Sequence, residues 1–437
     1  MKKIIFVNVI MLVLLIITQD AKAQVIVTAE IRPRLEYRNG YRIPIETSKD
    51  FALFVSQRTR LNLLYNTNFF NIGISIQDVR VWGDETLVSP TGVFGDQASM
   101  DLKEAWIEIP FSNTGISIKM GRQFLSYDDE RLLAKRNWNQ LSIAYDALLF
   151  SAIKSNWQLD ICGSYNNSKE DIFATEYPFD RMKTLNFIYF KKRIDNHFNF
   201  SVITLASGYQ KRNTQTIYMR GTYGLNIFFK EKHLEVAGTG YYQNGKSQYG
   251  QDVSAYFLSA KAFYKFSKFK LGVGIDYLSG QDTTNNNPSY HEKNHLFDIL
   301  YGARHKYFGY MDYFSHIPSS TANAGLIDIY LKLSYTLSGK HSFGVDYHYL
   351  SLAQMVADPE STGSSDLQTL ERFLGSEIDI SYQYTIRKDM NVQAGFSFFL
   401  PTSTLEVMKK VNGLSGQLSH WAYMMLTVKP TLFSNKK

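Results

Sequence analysis

Apolar and polar residues alternate along about eighteen stretches of this chain, each long enough to cross a bilayer as a tilted strand. In Val27 to Arg38, Ala29, Ile31, Leu35 and Tyr37 are apolar, while Glu30, Arg32, Arg34, Glu36 and Arg38 are charged. A strand sends successive side chains to opposite faces, so this segment has one apolar face and one strongly charged face. The connections alternate too. They are tight at Asn66–Asn68, Ser112–Thr114, Ile194–Asn196, Ser338–Lys340 and Arg387–Asp389, and long at Asn39–Asp50, Gly83–Met100, Gly280–Asn323 and Leu400–Gly416. Short turns on one side and long loops on the other predict an all-β fold, a transmembrane antiparallel β-barrel of about 18 strands.

Strands are expected near 25–38, 53–66, 70–82, 101–111, 115–125, 140–152, 156–167, 182–193, 197–207, 215–229, 232–244, 252–266, 269–279, 324–337, 340–352, 370–386, 389–399 and 418–432. The count is even, and both termini fall on the short-turn side. A barrel this wide is not filled by strand side chains, so an aqueous lumen is expected. Parity puts Ile72, Ile74, Ile116, Ile118, Phe343 and Val345 towards lipid, and Ser75, Gln77, Ser117, Asp346 and His348 towards the lumen. The last strand is apolar on both faces, Trp421, Tyr423 and Met425 opposing Ala422, Met424 and Leu426.

At the N-terminus, Lys2 and Lys3 precede an apolar run from Ile4 to Ile17, and Ala21-Lys22-Ala23 forms a cleavage signature. Residues 1–23 are expected to be a secretory signal peptide and 24–437 a single barrel domain in the outer membrane of a Gram-negative type cell. The 15% share of aromatic residues suits girdles at the two membrane interfaces. A net charge of +7, lowered by two when the leader leaves, gives no argument for a nucleic-acid partner. Cys162 is the only cysteine, so no disulfide framework exists; by parity it faces the lumen beside Asp160 and Ser164.

Inward charges are segregated. Arg32, Arg34, Arg58 and Arg60 lie on the first two strands, with Lys119, Arg220, Lys261 and Lys332 also inward by parity. Acidic inward positions gather later at Glu235, Asp276, Asp328, Asp346, Glu377 and Asp379, while Glu104, Glu108 and Asp146 lie among the basic strands. One reading is a basic track that draws anionic solutes through the pore, Arg being suited to bidentate contact with carboxylate or phosphate. The other is a wall stiffened by ion pairs, in a general porin with a transverse field. The loop from Gly280 to Asn323 carries Arg304, His305, Lys306, Tyr310 and Asp312 among many aromatics, and reads as a plug or constriction in the pore or as a cap over its mouth.

Several segments together resemble the alginate-export family of outer-membrane proteins: Ser56–Leu61 (SQRTRL), Gln77–Asp84 (QDVRVWGD), Glu104–Glu108 (EAWIE), Gly121–Gln123 with Asp129–Arg131, and Tyr301–Asp312 (YGARHKYFGYMD). The resemblance spans nearly the whole mature chain. It implies an eighteen-stranded barrel whose electropositive conduit, partly covered by loops, passes an anionic polysaccharide without chemistry. Arg58, Arg60, Arg80 and Arg122 occupy its motif positions; parity places Arg80 and Arg122 on the lipid face, so either a bulge re-aims them or the strands have left the bilayer there.

Chemistry is not required by any motif. His291–His295 matches H-E-x-x-H but sits in a polar loop with poor helix signals, so a chance match is expected and no metal or cofactor. Asp282, Asn285 and Asn287 read as a solvated turn or a Ca²⁺ loop. A lipid hydrolase needs a Ser–His pair, and none stands out; a barrel-based adhesin would have a closed lumen. The expected partners are an anionic saccharide or other small anionic solute, outer-membrane lipid and the barrel-insertion machinery, around a monomer.

Overall fold

The computed structural model describes residues 23–46, 48–83, 99–359, 368–411 and 416–435. Residues 1–22 of the expected leader and the whole 84–98 segment lie outside them.

Eighteen antiparallel strands close into one barrel. In chain order they are β1 (Gln24–Asn39), β2 (Ala52–Asn66), β3 (Asn71–Val81), β4 (Ser99–Phe111), β5 (Ile116–Gln123) and β6 (Tyr145–Lys154). There follow β7 (Trp157–Tyr165), β8 (Met182–Arg193), β9 (Phe198–Gln210), β10 (Ile217–Glu231), β11 (Leu234–Lys246) and β12 (Asp252–Phe266). The last six are β13 (Phe269–Leu278), β14 (Leu326–Leu337), β15 (His341–Leu352), β16 (Phe373–Arg387), β17 (Met390–Pro401) and β18 (Ser419–Val428, resuming at Thr431–Ser434). Each strand pairs with its chain neighbour, and β1 pairs with β18 from Asn39↔His420 down to Ile26↔Ser434. Closure leaves no sheet edge, the condition for backbone groups to cross hydrocarbon. No helix among the described residues is long and apolar enough to cross.

The alternation fixes the two faces as expected. Ile76, Met120, Phe343 and Val345 are exposed outside, while Ser75, Gln77, Gln123 and His348 are buried inside. The ambiguous last strand resolves with Trp421 and Met425 buried inward and Met424 outward. Cys162 is buried inward with Asp160 and Ser164.

Two connections do more than join strands. Loop 3 (residues 124–144) and loop 7 (residues 279–325) fold into the lumen and bury Leu125, Leu132, Leu133, Phe297, Met311 and Tyr313 against the barrel interior. Loop 7 holds two single-turn helices, α1 (Pro288–His291) and α2 (Ile317–Ser320); a longer helix, α3 (Ser403–Lys409), precedes β18. Loop 3 departs from the sequence expectation. The sixth strand was expected from residue 140 and begins at Tyr145, because Gln140 turns inward and donates to Ser56 Oγ at 3.0 Å.

Candidate functional site: a loop-lined conduit

The registers of β1 and β2 place Arg32 directly opposite Arg58, and Glu30 opposite Arg60. Like charges facing each other across a ladder repel, so this wall needs negative partners. Loop 3 supplies them as backbone carbonyls. Arg32 donates to Asn137 O at 2.8 Å, Trp138 O at 3.1 Å and Gln140 Oε1 at 2.8 Å. Arg34 donates to Trp138 O at 3.0 Å and lies 4.4 Å from the Trp138 ring centre. Arg58 donates to Glu30, to Asn139 O and Gln140 O at 3.3 Å each, and to Asn137 Oδ1 at 3.0 Å. Arg60 donates to Ser142 Oγ at 2.7 Å and Gln77 at 2.9 Å. All four face inward as parity requires, and all four are buried. They hold a loop; they do not line an open track.

The opposite wall does the reverse with acids. Asp276 faces Asp328, and Asp346 faces Asp379. Glu377 accepts the Met311 N–H at 2.6 Å, and Asp379 accepts the Tyr310 N–H at 3.2 Å. Gly309, at φ +84°, makes this approach possible, since any Cβ there would strike the Glu377 carboxylate. Side chains engage the other acids: Arg131 with Asp276 at 2.6 Å, His348 with Asp328 at 2.9 Å, and Lys332 with Asp346. Arg220 pairs with Asp298 and Lys261 with Asp129, both acids coming from loops. Lys119 sits 3.6 Å from the Trp106 ring centre, Trp106 donates to Glu104 at 3.3 Å, and Ser117 donates to Glu108 at 2.9 Å.

Three expected positions need correction or resolution. Asp146 is not in the lumen: the inward face of β6 is the apolar Tyr145–Ala147 side that packs on the plug, and Asp146 points outward to Arg122 at 2.9 Å. Arg122 and Arg80 do face outward, without re-aiming, one residue from the long-loop ends of β5 and β3; Arg80 donates to Asp78 at 2.8 Å. The H-E-x-x-H histidines diverge, His291 bonding Asn285 O at 2.5 Å and His295 bonding Ser254 O at 3.0 Å. Among the described residues no cluster of three or more such side chains could hold a metal. Asp282, Asn285 and Asn287 bond within their own turn.

Between the loops and the wall lies an eccentric cavity of about 660 Å³. It reaches from Arg42 and His316 on the long-loop side to Ser342, Gln383 and Gln393 near the short turns of β15, β16 and β17. Its cations come from loops: Arg42, Arg136, Arg304 and Lys306. Its acids are Glu130, paired with Lys306 at 3.2 Å, and Asp312, held by Tyr41, Arg42 and His305. Burial would raise the Asp312 carboxyl, but His305, Tyr41 and Arg42 outweigh it and keep it below the usual range. Arg136 donates to Gly302 O at 2.8 Å and is pushed down to about 10, by burial first and by Arg304 next. Arg304 is the exception. Its guanidinium has no hydrogen bond or ion pair among the described residues, and its Nε is buried without a partner. Burial and the nearby Arg42 weaken its hold on the proton, only partly offset by Asp298.

Aromatic faces run alongside. Trp138 stacks on His305 at 4.1 Å and 9°, His305 on Tyr310 at 5.3 Å, and Tyr423 meets Trp138 edge-on at 4.9 Å. Sequence reasoning pointed to Arg304, His305, Lys306, Tyr310 and Asp312 together, and the fold brings them together. It missed Arg42, Arg136 and Trp138. The run Arg136–Asn139 (RNWN) lies in a connection between expected strands, and its cation, indole and amides were the available signal.

A model of the alginate export family matches residues 23–411. Among solved structures, Pseudomonas aeruginosa OccD3 (OpdP) aligns with TM-score 0.61 at 12% identity, over 94% of this chain and 92% of that one. Acinetobacter baumannii OccAB1 aligns with TM-score 0.59 at 11% identity, over 95% and 99% of the two chains. At these identities the likeness speaks for the barrel fold. No curated protein matches significantly. The family match and the porin-like fold make this barrel a passive outer-membrane channel, not an enzyme. The chain belongs to the alginate export family.

Proposed function

We propose that the channel passes anionic solutes, with acidic oligo- or polysaccharide as the substrate class, by diffusion through the loop-lined cavity. The observation that carries this reading is Arg304. A half-buried guanidinium with no hydrogen-bond partner among the described residues, only partly balanced by Asp298, favours an arriving carboxylate. Arg42 and Lys306 neutralise the two cavity acids, Asp312 and Glu130, so Arg136 and Arg304 leave the lining with a positive excess. Tyr310 and Tyr423 offer ring contact to the apolar faces of sugar units, while Trp138, covered by His305 on one face and Arg34 on the other, braces the constriction. In this reading the basic lining comes from loops, including Arg304 and Lys306 of the expected constriction, while Arg32, Arg34, Arg58 and Arg60 hold loop 3. The same reading has the leader removed on export, the barrel folded by the insertion machinery, and a monomer in the membrane.

Planar-bilayer recording under a KCl gradient tests it. Anion selectivity is expected, reduced by Arg304→Ser. Cation preference in the unmodified protein would overturn the reading and leave a general diffusion porin.

A further inference from the structure

β8 ends on two successive lysines, and a strand sends neighbours to opposite faces. Lys191 turns inward, where its charge acts on Asp128 of loop 3. Lys192 turns outward, in step with Ile188 and Phe190. The registers place it beside Trp157 of β7, which on its other side faces Lys154 of β6. Lysine, tryptophan and lysine thus form one lipid-facing row across three strands, at their short-turn ends. The two lysine backbones stand roughly 10 Å apart, two strand spacings.

This row lacks a counter-charge. Lys154 Nζ lies 5.9 Å from the Trp157 ring centre, and neither lysine has a hydrogen bond or ion pair among the described residues. The Trp157 indole N–H is equally without a protein acceptor. No acidic residue faces lipid on β7, β8 or β9, and Asp146 stands at the far end of β6. Asp195, in the β8–β9 turn, spends its carboxylate on the N–H groups of His197 and Phe198 at 2.7 Å. Elsewhere the same level is aromatic: β2, β4, β12, β14 and β16 present Tyr65, Phe111, Tyr264, Tyr335 and Tyr384, as interface girdles do. Towards the midplane, the face above the row continues as the exposed apolar side chains of Ile161, Ile188 and Val202.

We propose that the row binds an anionic phospholipid from the leaflet on the short-turn side, which in barrels of this class is the periplasmic one. Its phosphate lies between the Lys154 and Lys192 ammonium groups, whose long stems let them converge on it. Trp157 donates its indole N–H to the phosphate or the adjoining ester, and the acyl chains lie over Ile161, Ile188 and Val202. The site belongs to the outer wall and is independent of what the lumen passes.

Fluorescence quenching by brominated lipid tests it, with the full chain reconstituted in vesicles. Trp106, Trp138 and Trp421 sit inside the barrel, so Trp82→Phe leaves Trp157 as the lipid-facing fluorophore. Dibrominated phosphatidylglycerol is expected to quench with a preference of about fivefold or more over dibrominated phosphatidylcholine, the gain from roughly one lysine at an anionic surface. Lys154→Gln combined with Lys192→Gln should remove the preference, and Lys154→Arg combined with Lys192→Arg should keep it. Lys232→Gln combined with Lys268→Gln, in the short turns after β10 and β12, should leave it unchanged. Bilayer conductance equal to that of the unmodified channel certifies the folding of each variant. Equal quenching by the two lipids, or a preference that survives Lys154→Gln with Lys192→Gln, would overturn the site. So would an equal loss in the Lys232 and Lys268 variant, which would make the attraction a diffuse property of the rim.

Discussion

Arg58→Ala removes the most enclosed cation of the barrel wall. Its guanidinium is fully buried, bonded to Glu30 and to the carbonyls of Asn139 and Gln140. Breaking a buried ion pair from one side costs roughly 3–5 kcal/mol. Here Glu30 keeps Lys429 at 3.1 Å, and Asn139 O keeps Arg32 at 3.3 Å, which reduces the loss. The Gln140 carbonyl loses its arginine outright, about 1 kcal/mol. A net cost of roughly 2–4 kcal/mol follows, and it falls on loop docking, because the β1–β2 ladder runs unbroken from Gln24↔Asn66 to Arg38↔Ala52. The docked-to-released ratio of loop 3 should fall by about two orders of magnitude. Two assays read this: single-channel conductance, expected to rise and become noisier, and trypsin cleavage after the buried Arg131, expected to accelerate. Arg58→Lys, which keeps the charge but not the fork, should lie between. Unchanged conductance and unchanged cleavage in a folded barrel would refute the docking argument. Loss of folding, with normal conductance in the fraction that folds, would instead assign Arg58 to strand pairing.

Other outcomes are equally open to measurement. Ile72→Arg or Ile74→Arg on the lipid face of β3 should each cost roughly 2–4 kcal/mol near the midplane, read by urea titration in lipid vesicles. Trp138→Ala removes the stack on His305 and the face beneath Arg34 and should raise conductance fluctuations; a quiet, unaltered channel would deny Trp138 any part in the constriction. Lys409 of α3 is held down to about 8 from an ordinary 10.5 by burial and Arg42. The docked state therefore releases this proton before the undocked state does, so α3 docking should strengthen as pH rises from about 8 to 10.5 and be flat below 8. Amide protection of residues 403–409, corrected for the intrinsic rise in exchange with pH, checks this, and Lys409→Met should abolish the trend.

The barrel was legible because its lipid face admits one class of residue at every second position. The β3 and β15 faces followed from that alone. Legibility failed wherever the lumen itself became a packed interior. Trp421 and Tyr423 read as lipid-facing candidates because they meet the aromatics of loops 3 and 7, not water. Tyr145 and Ala147 made the inner face of β6 apolar, and so sent Asp146 to the wrong side. The short run at 140–144 continued the alternation of a strand, yet its destination is set by arginines more than eighty residues away. Composition revealed the charges of the lumen; only the fold reveals which ones water reaches.

The two walls grip their loops by the main chain: carbonyls of residues 137, 138, 139 and 140 on the basic side, amides of residues 310 and 311 on the acidic side. Every residue has such a carbonyl, and every residue but proline such an amide. The grip is therefore largely indifferent to which side chains the loops carry. Positions such as Asn139 and Tyr310 can be exchanged for other residues and still be seated in the same register. Selectivity then becomes a replaceable insert in a fixed socket, and channels of differing cargo can arise from this barrel without altering a single strand.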